Sequence, residues 1–292
     1  MKLLTKFNLI LLVTFGAGGI LISQLAYRFL IGNARREVLA QAELMMASAS
    51  SVRDYTSDVL SPLLQQNPRH KVRFLAETVP AFGATRMFAN LRKSYPDYTY
   101  KEATLNPTNP EDRASDWEAD LIREMRDHPV RNSITGERNT PSGESLYLAK
   151  ALKVGAPCLE CHSIPSTAPV AMLAVYGSAN GFGWKQGETI AAQIVSVPMS
   201  VPVQIAKQAY YLLIWFLAVI LLTAILVLDL AVYCLVIRPL KVVSETADRV
   251  SRGAKDIPIL AANGKDEIAV VTASFNRMQL SLAKAFKMLD EQ

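Results

Sequence analysis

No long basic run with interleaved aromatics occurs in this chain of 292 residues, and its formal charge is a modest +5. That pattern gives no nucleic-acid signature. Cysteine and histidine are scarce, with three of each, and no cysteine precedes Cys158. A structural zinc site needs about four N or S ligands. Beyond one pentapeptide the only other candidates are Cys234, His70 and His128, and Cys234 lies in an apolar run. What the chain has in quantity is apolar residues, 50% of the total, enough for one core plus membrane segments.

The pentapeptide is Cys158-Leu159-Glu160-Cys161-His162. Cys-x-x-Cys-His is the spacing of covalent c-type haem attachment. Each thiol can form a thioether to one vinyl group on one edge of the porphyrin, and the next residue is then held close enough to the iron to offer an imidazole. Cys158 and Cys161 are the expected attachment points of one haem c, with His162 as proximal iron ligand. A redox dithiol would use the same thiols, but it sits at the start of a helix in a thioredoxin-like βαβ pattern. Pro157, Pro165 and Pro169 predict a loop around this motif instead.

Residues 7–30 form an apolar stretch led by Lys2 and Lys6, long enough for a spanning helix. A signal peptide shares that pattern, but no small-x-small cleavage site follows, so an uncleaved anchor is expected. A second run, 210–237, is flanked by Tyr210, Tyr211 and Trp215 at one end and by Arg238 and Lys241 at the other. The positive residues place both termini, including 1–6, in the cytoplasm; Arg35 and Arg36 oppose that signal. The segment between the spans is then periplasmic in a bacterial inner membrane, where haem is attached to c-type cytochromes. Asp229, costly in lipid, suggests a dimer seam, and Cys234 suggests packing.

The segment 34–205 opens with a helix. Val38, Ala42, Met45, Ala49, Val52, Val59 and Leu63 recur at spacings of three, four or seven, and Pro62 marks the approximate end. Gly32 and Asn33 are a possible joint with the first span. Prolines within 79–118 exclude long regular elements there. A helix is expected over about 114–126, then short strands at 145–151, 171–176 and 190–197. Helices first and strands after, around the Cys-x-x-Cys-His loop, indicate an α+β domain.

After the second span, Leu240, Val243, Ala247 and Val250, and then Ile268, Val271, Phe275, Met278, Leu282, Ala285 and Leu289, repeat every three and four residues. Gly253, Pro258 and Gly264 mark a linker between these two helices. One pair of such helices cannot bury its seam, whereas two chains side by side make a four-helix bundle, which predicts a parallel homodimer. Arg238-Pro239 directly after a span, and Lys265-Asp266-Glu267-Ile268 opening the second helix, resemble a HAMP signal-relay domain over 238–290. Pro239 and Glu267 match that family's proline and glutamate.

The segment 34–205 resembles the periplasmic haem-binding sensor domain first catalogued as a domain of unknown function and later found to be PAS-like. The likeness rests on Val52-Arg53-Asp54-Tyr55-Thr56, Val79-Pro80-Ala81-Phe82, the run from Tyr100 to Pro110, the Cys-x-x-Cys-His, and Asn180-Gly181-Phe182-Gly183-Trp184. It implies a single c-type haem in a PAS-like fold between the two spans. One member type has a cysteine on the first helix as second iron ligand; this chain lacks it. Met45, and after it Met46, are the candidates to replace that thiolate, against the alternative of core filler. Met87, Met172 or a vacant face open to a small gas are further options, and His70 and His128 read as surface residues. Arg53, Lys101 and Arg113 are candidates to pair with haem propionates, the alternative being solvated charge. Trp117, Phe182 and Trp184 are candidate haem walls.

These readings favour a membrane sensor of redox state or a gas, relaying to a separate cytoplasmic partner, since the chain carries no kinase, cyclase or methyl-accepting segment. A membrane-anchored electron carrier with an electron-transfer partner is the alternative. An enzyme ranks last, because no acid–base pair like that of a peroxidase can be picked out.

Overall fold

The computed structural model describes residues 3–254, 257–262 and 264–290. Lys2, part of the 1–6 segment and part of the expected 253–264 linker lie outside the described residues, as do the side chains of His70 and Leu289. Two compact units form: residues 26–210, and residues 1–25 together with 211–292.

Helix α1 runs without a break over Leu3–Tyr55. No joint forms at Gly32 and Asn33, because one glycine costs a helix only about 1 kcal/mol relative to alanine and the flanking residues are good helix formers. A π-helical turn, Thr56–Leu60, follows, then α2 (Ser61–Gln65), which takes Pro62 in its first turn. Asn67 caps α3 (Pro68–Val72) by accepting from the Arg69 N–H at 3.0 Å.

Residues 79–118 hold more regular structure than their prolines suggest. Pro80 opens α4 (Pro80–Leu91), where its missing N–H costs nothing, and β1 occupies Thr99–Thr104. Helix α5 (Asp116–Asp127) starts at a capping box in which Ser115 and Glu118 satisfy each other's backbone N–H groups. Strands β2 (Ser133–Thr140) and β3 (Gly143–Lys153) form a hairpin. Then come α6 (Ala156–His162), α7 (Val170–Tyr176) and β4 (Thr189–Pro198). The expected strand at 171–176 is thus helix α7. Its run of Ala, Met and Leu favours helix, and a short apolar run does not by itself separate the two states.

The four strands are antiparallel in the order β1-β4-β3-β2. Nine of the ten residues of β4 are buried, because helices cover both faces of the sheet. Tyr100, Leu146, Leu148, Val195 and Val197 share one face with Val38, Ala42, Met45, Met46 and Ala49 of α1 and with Ala84 and Phe88 of α4. Ala103, Ala149, Ala192 and Ile194 meet Leu121, Ile122 and Met125 of α5 on the other. The period of two along each strand produces this division. A smaller cluster, Val154, Ile190 and Ala191 with Leu152, Cys158, Leu159 and Trp184, closes the end of the sheet where β3 leaves and β4 enters.

Helix α8 (Ser200–Val232), most of it in the other unit, continues through a π-helical turn into α9 (Arg238–Ser251), and α10 spans Glu267–Asp290. The segments Leu4–Gln65 and Ser200–Ser251 are each long and apolar enough to cross a membrane. Asp229 finds its partner within the chain, accepting from Asn8 Nδ2 at 3.0 Å. Asp266 caps α10 through the Ala269 N–H at 2.8 Å, with Glu267 in the first turn. Asn276 holds Leu260 by both backbone groups, at 3.1 and 2.7 Å, so the connector lies along α10. Pro239 sits in the first turn of α9. Val271 and Met278 of the heptad seam remain about half exposed in a single chain, at 47% and 52%.

Candidate functional site

The Cys-x-x-Cys-His motif lies on a helix, α6, and not on the loop its prolines suggest. Pro157 serves as a helix-opening residue, and Ser163 ends the helix one residue past His162. Three residues apart on a helix, Cys158 and Cys161 lie on one face. Both are free thiols and half-buried. Burial, then the charges of Glu160 and Cys158, push the Cys161 thiol above its ordinary value. An oxidoreductase dithiol needs the opposite shift, and the neighbouring sheet is antiparallel, so the surroundings do not match a βαβ redox motif.

The imidazole of His162 is held at Nδ1 and on one ring face. Nδ1 lies 2.7 Å from the Gly181 carbonyl oxygen. A carbonyl only accepts, so Nδ1 carries the proton and Nε2 keeps the lone pair. Thr108 Oγ1 stands 3.4 Å from the same nitrogen. The Trp184 indole stacks on the ring, with centroids 3.9 Å apart and planes within 14°. Burial lowers the affinity of His162 for a second proton, with the Gly181 hydrogen bond acting against it, which keeps the ring neutral. A neutral imidazole with Nδ1–H bonded to a backbone carbonyl is the arrangement that orients Nε2 toward a metal.

The loop that supplies Gly181 is tied to α6 by backbone bonds. Gly183 N–H donates to Ser163 at 2.8 Å, and Trp184 N–H donates to His162 at 3.3 Å. Gly181 has φ +82°, and a Cβ there would collide with Thr108 Oγ1 and come within 2.9 Å of its backbone nitrogen. Only glycine permits this close approach in that conformation. The roles of Thr108 and Gly181 were not visible in the sequence; the Asn-Gly-Phe-Gly-Trp run, with two glycines around an aromatic, was the signal.

The other candidates are dispersed. Met45 and Met46 are buried in the apolar cluster with Phe88 and Tyr100, not beside Cys158 and Trp184. Arg53, two turns further along α1, pairs with Glu102, which stands opposite Gln193 on β4; the next step of that register, Thr104 opposite Ala191, leads to the Cys158 cluster. Eight residues at 1.5 Å each put Met45 about 12 Å from that level, toward the other end of the sheet. Met87 packs against the same apolar cluster, and Met172 is buried on α7.

Lys101 Nζ lies 2.8 Å from Glu118 Oε2 and donates to the Arg113 carbonyl at 2.8 Å. The Arg113 side chain is exposed and has no ion pair among the described residues. Trp117 packs on Tyr147 and under Arg138, on the α5 side of the sheet. His128 is exposed after α5.

The donor set fits a covalent haem. Two free thiols share one helix face and one neutral imidazole presents Nε2, so Cys158 and Cys161 would attach the porphyrin, His162 would give the iron a nitrogen ligand, and the group would supply one-electron chemistry.

An α+β domain built around such a braced motif, followed by two heptad helices of which the second is capped by Asp266, defines a class: a signalling protein with a sensing domain and a helical relay. Residues 32–198 match the model of the Tll0287-like family, described as Tll0287, and residues 235–284 match the HAMP domain. The first match covers more than half of the chain, and the chain belongs to the Tll0287-like family, with a HAMP domain after it. A solved structure described as that of the cyanobacterial heme-protein Tll0287 aligns with 56% of this chain and 95% of its own, at 12% identity and a TM-score of 0.44. Comparison with curated proteins gave no match.

Proposed function

We propose that this chain is a membrane-anchored haem sensor of the bacterial inner membrane. Cys158 and Cys161 would hold one haem c by thioethers, and His162 Nε2 would be its proximal ligand. The observation that carries this reading is the Nδ1–H bond from His162 to Gly181, which leaves Nε2 as the free donor beside two paired thiols. When bound, haem supplies one-electron chemistry and an iron face able to take a small ligand.

The chain's own residues do the rest. Gly181 and Thr108 fix the His162 tautomer, Trp184 fixes its plane, and the Val154, Ile190 and Leu159 cluster shields the attachment edge from water. Arg53 and Lys101 are engaged by Glu102 and Glu118, so of the three propionate candidates Arg113 is the one we favour. Met45 and Met46 serve packing in this reading, and the distal face is open to a small gas such as NO or CO.

In the proposed topology 1–6 is cytoplasmic, 7–30 and 210–237 span the membrane, and 34–205 is periplasmic. The HAMP domain, 238–290, then relays the signal to a separate cytoplasmic partner. The half-exposed seam residues Val271 and Met278 support a parallel homodimer, whose bundle could hold two arrangements. Pro239 and Glu267 would fix the helix starts in it.

Optical and resonance Raman spectra of the purified full chain, oxidised and reduced, with and without CO and NO, test the proposal. Five-coordinate reduced iron that binds gas supports it. Iron that stays six-coordinate and inert to gas in both states removes the gas-sensing part and favours a pure redox sensor or an electron carrier.

A further inference from the structure

A groove of about 710 Å³ opens in the sheet-bearing unit, at the end of the sheet away from the Cys-x-x-Cys-His motif. Pro198, which ends β4, lines it, whereas Ala191, seven residues earlier on that strand, packs with Cys158. At about 3.4 Å per residue the two levels are about 24 Å apart. The volume lies within the range of small-molecule sites, about 300–1,000 Å³.

The groove is lined by α1, by the start of α8 and by the turn after α4. Leu30, Ile205 and Ala209 belong to its apolar part. In the proposed topology these residues sit at the periplasmic edge of the two spans, so an apolar tail can lie along the helices in the bilayer while its headgroup enters the groove.

The polar part is acidic. The Tyr98 hydroxyl donates to Gln41 Oε1 at 3.3 Å, and Gln41 Nε2 donates to Glu37 Oε1 at 3.5 Å, so this chain of hydrogen bonds ends on a carboxylate. Glu37 is exposed, and neither it nor Asp97, which also lines the groove, has an ion pair among the described residues. No lysine or arginine lines it. A phosphate headgroup needs a cationic partner and would meet two carboxylates instead. An ionised carboxylate only accepts, so it suits a headgroup that brings O–H donors. Tyr95 and Tyr98 set their rings edge to face there, with centroids 5.9 Å apart, which favours an aromatic headgroup.

We infer that this groove binds a lipid with a dihydroxyaromatic headgroup, a quinol, through a hydroxyl that donates to Glu37. The inference rests on the membrane reading above and is independent of the haem. The oxidised quinone carries carbonyls that only accept, so it loses that bond and binds more weakly. Occupancy would set the spacing of α1 and the start of α8, and α8 is the helix that continues into α9. The reduced state of the membrane's quinone pool would then be an input separate from the iron.

Isothermal titration calorimetry of the full chain in detergent micelles tests this with two probes. One is 4-hexylresorcinol, a dihydroxyaromatic with a short tail that does not cycle between quinol and quinone. The other is its dimethyl ether, which keeps the ring and tail and loses both donors. Wild type is expected to bind one hexylresorcinol per chain, saturably, and the ether about tenfold more weakly, as the loss of one hydrogen bond to a charged group implies. Glu37→Gln is expected to weaken hexylresorcinol by a similar factor. Ala209→Phe, at an exposed position, is expected to fill the groove and abolish saturable binding. The comparison of the two probes uses wild type alone and stands however the variants fold.

Equal affinity for the two probes, or no saturable binding by folded wild type, would overturn the inference and leave the haem reading intact. Displacement of hexylresorcinol by dioleoylphosphatidylglycerol would also overturn it, giving the groove to a phospholipid. A dimer that becomes a monomer in Ala209→Phe would overturn it in favour of a second copy of the chain. Wild type recovered in the soluble fraction without detergent would overturn the membrane reading, and this inference with it. Probe-selective binding by a chain that carries no covalent haem would support the inference and overturn the haem reading alone.

Discussion

The two ends of one sheet face are built from different chemistry. At one end Val195, Val197, Leu146 and Leu148 meet Val38, Ala42, Met45 and Phe88, with no charged side chain in the cluster. At the other end Glu102, Arg53, Tyr100 and Gln193 form a buried polar network, and beyond it Ala191 packs with Cys158 and Trp184 below a braced histidine. Helix α1 serves both ends with the same backbone and different side chains. The apolar end gains stability in proportion to area removed from water. The polar end holds groups that gain nothing by burial alone and are retained only where each has a partner. A site can be kept fixed there because the other end holds α1 and α4 on the sheet.

The comparison breaks first under a core truncation. Phe88 is 2% exposed and stacks on Tyr100 at 4.7 Å. Phe88→Ala should cost about 3–5 kcal/mol, read as a lower denaturant midpoint, with covalent haem and its spectrum retained in the fraction that folds. A spectrum altered as strongly as stability would mean the two ends are not separate. Gly181→Ala is the converse test. Its φ and the Thr108 contact oppose any Cβ, so a loss of about 1–3 kcal/mol is expected, together with a shifted iron–histidine stretching band as the Nδ1 acceptor moves. An unchanged band would remove Gly181 from the site. The smallest effect is expected at Met45→Leu. A volume-conserving swap should change stability by less than about 1.5 kcal/mol and leave coordination as in wild type; a switch from six- to five-coordinate iron would make Met45 the distal ligand after all.

Much of this was legible in the residues. The heptads of α9 and α10 and the two apolar runs depend on local periodicity, which a sequence displays directly. The Cys-x-x-Cys-His motif needs only five adjacent residues. Strand β1, Thr-Tyr-Lys-Glu-Ala-Thr, was missed because Glu102 and Thr104 are buried only by virtue of partners such as Arg53, which comes 49 positions earlier. Strand β2 is an edge strand with no fully buried residue, so its apolar signal is faint. The bracing of His162 joins Thr108, Gly181 and Trp184 from two separate loops. No local pattern announces such a meeting. Met45 illustrates the reverse: its position on the apolar face of α1 was read correctly, but which end of the sheet that face meets depends on the packing.

The most direct test of the central claim is the intact mass of the full chain, purified from cells able to attach haem in the periplasm, alongside Cys158→Ser/Cys161→Ser. The account predicts a mass increased by one haem in the wild type, surviving denaturation, and an unmodified mass in the double variant. A wild-type chain that folds in its membrane without that added mass would contradict it.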